Sequence, residues 1–485
     1  MEKKFTETAL FKALVCLGLG AIVYFVIPQP EYLQEHARAA TNWRLLAIFV
    51  ATLAALILAP LPMGSVAIIA IAAVAATRTT TIGVALGGFS NTVIWLIVSA
   101  FLLSRGFIKT GLGERVAYMF MAKLGKRTLG LAYSLIFADM VIAPATPSNT
   151  ARAGGIIFPV VRSLNDAYKS KTEDGSQRKL ASFLTYTIFQ TDNVICSMFM
   201  TAMAASGAAV ILANDFFAAG NFGMQITWTG WFMAAFVPGL ICVLLIPLVL
   251  YKIYPPEIKE TPQAVEMAKA RLKELGPVTT AEIKMICVFV LVLVLWIFGD
   301  GLLGLAATTT AFIGLSVMLI TNVITIDDIK SEKGAWDTLI WFSALVMLAG
   351  QLNAQGIIPW ITDVVAGNLE GINWVTALII VSLVYYYSHY LFASATAHVA
   401  AMYGAMLAVS VAVGVPPMLA ALTLAFITNL HMGITHYGTG PAPVYFGPGY
   451  VTMGQWWGLA FVLSLVHLLV WFPIGMVWWR IIGLW

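Results

Sequence analysis

Two short stretches carry side chains suited to holding an anion. The first is Ser148-Asn149-Thr150, set behind Pro144 and Pro147 and followed by Arg152. The second is Ser394-Ala395-Thr396, followed by His398. Ser148 and Ser394 stand 246 positions apart, and so do Arg152 and His398. Thr92-Val93-Ile94-Trp95 recurs at the same offset as Thr338-Leu339-Ile340-Trp341. Proline removes a backbone donor and clashes with the preceding turn, so no helix runs unbroken through the first stretch. Ser, Asn and Thr cap helix N-termini. A helix that restarts there presents free N–H groups and the positive end of its dipole, which suit a carboxylate. One such break reads as a packed kink. Two at matched positions read as a pair of anion-binding tips, and a small molecule with two carboxylates would span them.

Arg152 and His398 fall one turn into each restarted helix. A buried arginine at membrane depth costs roughly 2.5–3.5 kcal/mol on insertion scales and needs a partner. Two readings fit: a structural pair with an acid such as Asp192, or fixed charge that helps hold a dianion. The shared offset favours charge compensation by Arg152 and His398. Gly438, Thr439 and Gly440 offer an unwound backbone near the second tip, and Ser197 and Thr201 near the first. Cys16, Cys196, Cys242 and Cys287 lie scattered in apolar runs, without metal-ligand spacing. Neither a metal nor a cofactor is expected. No His-Glu-x-x-His, Gly-x-Ser-x-Gly or P-loop pattern occurs, although an Asp192–His436 acid–base pair would keep a membrane enzyme in view. A channel is disfavoured, since no continuous polar stripe runs along the chain.

The elements that position these tips are read from hydropathy. Of 485 residues, 60% are hydrophobic and 10% charged, against about 25% charged in soluble domains. The chain is therefore expected to be an all-α polytopic membrane protein of the cell (inner) membrane, with no nucleic-acid partner. Apolar runs predict spans at about 7–28, 43–60, 64–82, 91–104, 180–212, 228–251, 284–299, 304–325, 336–355, 416–438 and 455–479. The first reads as an uncleaved span. Ile108, Leu112, Val116 and Phe120 recur at helical spacing, which predicts an amphipathic interfacial helix. Residues 252–284, rich in Lys, Glu and Pro, read as a soluble loop between halves.

Residues 128–165 have basic flanks on both sides, so by the positive-inside rule they enter and leave from the cytoplasm as a re-entrant hairpin. Residues 373–415 have no nearby Lys or Arg and read as a second hairpin, entering from outside. Of the 27 Lys and Arg residues, this layout leaves only Arg38, Arg44, Arg78, Arg152 and Arg480 off the cytoplasmic side. It puts the N-terminus inside, with about eleven spans and two opposed hairpins in inverted repeats, a transporter signature.

Pro144-Ala145-Thr146-Pro147-Ser148-Asn149-Thr150-Ala151-Arg152-Ala153-Gly154-Gly155 resembles the exchanger branch of the divalent anion/Na+ symporter family. This family of carboxylate carriers includes plastid 2-oxoglutarate/malate translocators and bacterial citrate/succinate and tartrate/succinate exchangers. The resemblance covers nearly the whole chain. It implies a homodimer in which a mobile transport domain, carrying both hairpins, shifts against a scaffold in an elevator-like motion. On that scheme 1–90 are scaffold helices. Residues 91–227 hold the interfacial helix, inner hairpin and broken fifth span, and 228–335 hold scaffold helices and linker. The ninth span, outer hairpin and broken tenth span fall in 336–452, and the last span in 453–485. Family substrate contacts fall on Ser148, Asn149, Thr150, Ser394, Ala395 and Thr396, with Thr439 and Gly438 beside them. Sodium-coupled members carry Asn where this chain has Ala395. That departure, together with Arg152 and His398 as built-in cations near where the ions would lie, implies sodium-independent exchange of di- or tricarboxylates of the 2-oxoglutarate, malate and succinate class. Sodium-coupled symport is the alternative.

Overall fold

The structure is a computed structural model that describes residues 2–360, 364 and 371–485. Residues 361–363 and 365–370, within the expected 336–452 region, lie outside the described residues. The described residues are helical almost throughout, and eleven helices are long and apolar enough to cross a membrane. The chain is an all-helical, multi-pass membrane protein.

Burial sorts the helices by composition. Every residue of Ala181–Met198 is buried, including Gln190, Thr191, Asp192 and Asn193. It packs against Thr128–Ile142, Trp228–Ile253 and Pro417–Leu430. Such a helix cannot face lipid, because its polar groups need partners inside the protein. The Gln190 amide finds them, donating to the Tyr186 hydroxyl at 2.9 Å and the Gly433 carbonyl at 3.0 Å. Peripheral helices behave oppositely: Leu10, Phe25, Phe298 and Leu302 are all exposed, as apolar side chains facing acyl chains should be.

The spans sit close to their expected places, with informative differences. The fourth helix continues past Ser104 to Thr110. It then turns at Gly111, whose φ of 74° only glycine adopts readily, into the amphipathic helix Leu112–Leu124. The expected single span 180–212 is two helices, Ala181–Met198 and Ala204–Ala219. The last span bends at Phe472-Pro473. Within the expected loop 252–284, Pro262–Leu275 is a helix packed on Leu112–Leu124. Val265, Ala268, Leu272 and Leu275 give it an apolar face, a helical period that outweighs its charge content.

Arg115 locks this corner. Its Nε donates to Glu282 at 2.5 Å, and its outer nitrogens donate to the carbonyls of Leu275, Gly276 and Pro277. Beside it, Lys109 pairs with Asp328 at 2.5 Å. The hydrogen bond from Lys109, with help from Thr325, holds the Asp328 carboxyl down at about 2. The contribution of this pair is complete above the ordinary carboxylate pKa and fades only as pH falls towards 2.

Candidate functional site

Both polar tips are built alike. The Ser148 hydroxyl accepts from the Ala151 N–H at 3.1 Å, and the Ser394 hydroxyl from the Ala397 N–H at 3.3 Å. The Arg152 N–H donates to the Ser148 carbonyl at 2.9 Å, and the His398 N–H to the Ser394 carbonyl at 3.0 Å. Each serine is thus an N-cap in the same register, as the repeat requires. Each restarted helix then passes through a wide π turn, Thr150–Ile157 in one half and Val399–Tyr403 in the other. Such turns are rare and cluster at functional sites.

The two tips meet. Ser148, Asn149, Thr150, Ser394, Ala395, Thr396, Thr439 and Gly440 line one cavity of about 270 Å³. Phe101, Pro147, Met203, Ala204 and Ala393 complete its wall. The Asn149 amide donates to the Thr439 hydroxyl at 3.0 Å, tying the first tip to the broken span of the second half. Gly440 allows that approach: a Cβ there would sit 2.1 Å from Thr150 Oγ1. Among the described residues, no charged side chain lines the cavity. What it offers is hydroxyls, one amide and two helix starts, whose first N–H groups have no partner within the helix. A larger cavity of about 670 Å³ lies between Trp374–Tyr387 and Pro473–Ile481. Its walls are apolar except for Arg480, so it provides no pair of anion sites.

Arg152 requires a correction. It does not reach the cavity, and it is completely buried as the centre of an ion triad. Its Nε donates to Asp139 at 2.6 Å and its Nη2 to Asp192 at 2.5 Å. Nη1 donates to the carbonyls of Thr146 (2.9 Å) and Ala202 (3.1 Å), and Nη2 also reaches Cys196 Sγ at 3.2 Å. All five guanidinium donors are used. With two carboxylates against one guanidinium, Arg152 has no charge to spare for a ligand. It pins the first tip loop to the arm that leads into it and to the broken span behind it.

His398 requires the same correction. It is buried behind the second tip, with Nδ1 3.2 Å from His389 Nδ1 and 3.0 Å from His431 Nε2. Gly438 also sits behind the cavity wall, where its carbonyl accepts from His389 Nε2 at 3.0 Å. Thr201 and Ser197 are committed elsewhere: Thr201 donates to the Pro144 carbonyl, and Ser197 to the carbonyls of Asn193 and Phe426. Asp192 and His436 have separate partners, Arg152 and the Trp457 indole N–H.

The sequence reading missed the apolar wall of Phe101, Met203 and Ala204, which carries no local signal. It also missed Asp139, His389 and His431. A single acid in the otherwise uncharged helix Thr128–Ile142 is the one sign that could have flagged Asp139.

Known proteins resemble the chain along its whole length. A family model described as "Sodium:sulfate symporter transmembrane region" matches residues 7–485. YflS of Bacillus subtilis (strain 168), provisionally named a malate transporter, is 53% identical over 482 residues. That match covers 99% of this chain and 98% of YflS. "Dicarboxylate transporter 1, chloroplastic" of Spinacia oleracea is 46% identical over 482 residues, covering 99% of this chain and 83% of the spinach protein. Among solved structures, Neisseria gonorrhoeae MtrF, described as illuminating a class of antimetabolite efflux pumps, aligns with a TM-score of 0.56 at 12% identity. That alignment covers 98% of this chain and 94% of MtrF, a likeness of fold.

Proposed function

The chain belongs to the sodium:sulfate symporter family, transporters rather than enzymes, and on that premise we propose that it exchanges dicarboxylates across the cell membrane, one for another. The observation that carries this reading is the cavity shared by both tips, ringed by neutral donors. A molecule with a carboxylate at each end places one on each helix start, where N–H groups and dipole favour negative charge. The dicarboxylate and malate transport named for its relatives agrees with that chemistry. Succinate, malate and 2-oxoglutarate fit the class, as does a tricarboxylate that presents two of its groups.

Exchange follows from the same geometry. Two positive helix ends confront each other across the cavity, and a dianion between them offsets both. The loaded form therefore crosses more readily than the empty one. On this reading the hairpins are re-entrant from opposite faces, with the N-terminus in the cytoplasm. The regions 91–227 and 336–452 move together, elevator-fashion, against the rest of a homodimer.

Sodium is not required on this reading. The Arg152 guanidinium fills the space between Asp139 and Asp192 beside the first tip. At the second, Ala395 brings no amide oxygen, and the groups behind it are imidazole nitrogens, poor ligands for a hard cation. The family's description keeps sodium-coupled symport as the competing reading.

Purified protein in sodium-free vesicles separates them. Labelled succinate should enter vesicles preloaded with unlabelled dicarboxylate at least tenfold faster than empty ones. Uptake into empty vesicles driven by an inward sodium gradient would establish symport instead. Absence of counterflow with every dicarboxylate tried would remove the substrate class.

A further inference from the structure

The two halves each place a side-chain triad behind the tip, alike in layout around a central residue at the repeat offset but different in chemistry. In the first, the central residue four positions past the tip serine is Arg152. One partner comes from the arm entering the tip (Asp139) and one from the broken span (Asp192). In the second, the central residue is His398, with His389 from the entering arm and His431 from the end of the broken span. The first triad is two anionic ligands around a cation supplied by the chain itself. The second is three ring nitrogens, linked by hydrogen bonds through His398 Nδ1 and contributed by neutral side chains rather than by a fixed charge.

Those nitrogens lie close enough together to serve as ligands. The hydrogen bond from His389 Nε2 to the Gly438 carbonyl fixes the tautomer, so that Nδ1 carries the lone pair. On the far side of His398, Nε2 lies 3.0 Å from the Ser388 hydroxyl, which donates to the Tyr385 carbonyl and is free to accept an outward N–H. Outward N–H groups held by a carbonyl and a hydroxyl are the usual support of metal-bound histidines. The facing separations of 3.2 and 3.0 Å are close to the edge of a tetrahedron with bonds of roughly 2.0–2.1 Å to nitrogen.

Hydrogen bonding alone does not satisfy the cluster. A proton on His398 Nδ1 faces two lone pairs, His389 Nδ1 at 3.2 Å and His431 Nε2 at 3.0 Å, and cannot fully serve both. A proton on His431 Nε2 instead sets the lone pairs of His389 and His398 against each other at 3.2 Å. A cation between the rings turns all three lone pairs into bonds.

The geometry points to a transition-metal site at His389, His398 and His431, filled by Zn2+ or another borderline divalent ion. Neutral imidazoles select such ions over Na+, Mg2+ or Ca2+, which take oxygen ligands. Occupancy requires the His389 and His431 rings, stacked with centroids 4.0 Å apart, to turn about Cβ–Cγ until both aim at one point. The site lies outside the ligand cavity and does not depend on which anion is carried.

The test uses tag-free protein, stripped with chelator in detergent and reloaded with Zn2+ or Co2+. One metal per chain should survive dialysis, and Co2+ should give the intense visible bands of a tetrahedral nitrogen site. His389→Asn and His431→Gln should each lower affinity at least tenfold, while His36→Gln/His436→Gln should leave it unchanged. The assignment is overturned if the wild-type chain retains no stoichiometric metal. It is equally overturned if the His36/His436 variant loses the ion. Should the cluster variants fail to fold, the X-ray absorption of the zinc-loaded wild type decides: three imidazoles support the site, and any other shell rejects it.

Discussion

Arg152→Gln should leave almost no folded protein. The substitution strands Asp139 and Asp192 in a fully buried setting and abandons the carbonyls of Thr146 and Ala202. Removing one member of a buried ion cluster costs about 3–5 kcal/mol, because the opposite charge remains without compensation. Domain stabilities are only about 5–15 kcal/mol, so the loss is severe. Size-exclusion profiles and thermal denaturation in detergent will show it. The informative companion is Arg152→Gln combined with Asp139→Asn and Asp192→Asn, which removes charge of both signs together. That variant should recover a monodisperse peak and exchange dicarboxylate within about tenfold of wild type. A folded triple variant with no exchange would return Arg152 to the role of counter-charge.

The tips should behave in the opposite manner. Asn149→Ala and Thr396→Ala remove donors from the cavity without leaving a buried charge, so melting temperatures should change little. A hydrogen bond to a charged group is worth about 1.5–3 kcal/mol, so each should slow exchange by about ten- to a hundredfold. Gly440→Ala should do the same without removing any donor. Its new methyl meets Thr150 Oγ1 and must displace that cavity hydroxyl, by turning the side chain or by moving the first tip off the broken span of the second half. Equal exchange rates in all three variants, measured in the counterflow assay, would remove the tips from the substrate path.

These two results separate what is readable locally from what is not. The tips are legible in sequence because a cap is a local device: Ser148 and Ser394 bond three residues ahead in both halves. The spans are legible because lipid demands long apolar runs. The partners of Arg152 and His398 are legible only in part: Asp192 stands out as an acid that could pair with Arg152, whereas Asp139, His389 and His431 do not, His431 lying 33 positions from His398. Only the fold brings them together. Spacing therefore marked both cations as special but misjudged what they face. A charge in a membrane protein is read best by counting the opposite charges that could reach it, and Asp139 was the one left out. The helix Pro262–Leu275 teaches a smaller lesson, because its charges concealed a regular apolar face. The paired π turns carry no sequence sign beyond small residues, Gly154-Gly155 and Ala400-Ala401.

The central claim is that one dicarboxylate bridges the two helix starts, and a structure with bound succinate addresses it directly. One carboxylate should lie against Ser148–Thr150 and the other against Ser394–Thr396, with Arg152 still held by Asp139 and Asp192. Succinate bound anywhere else, or paired directly with Arg152, would contradict it.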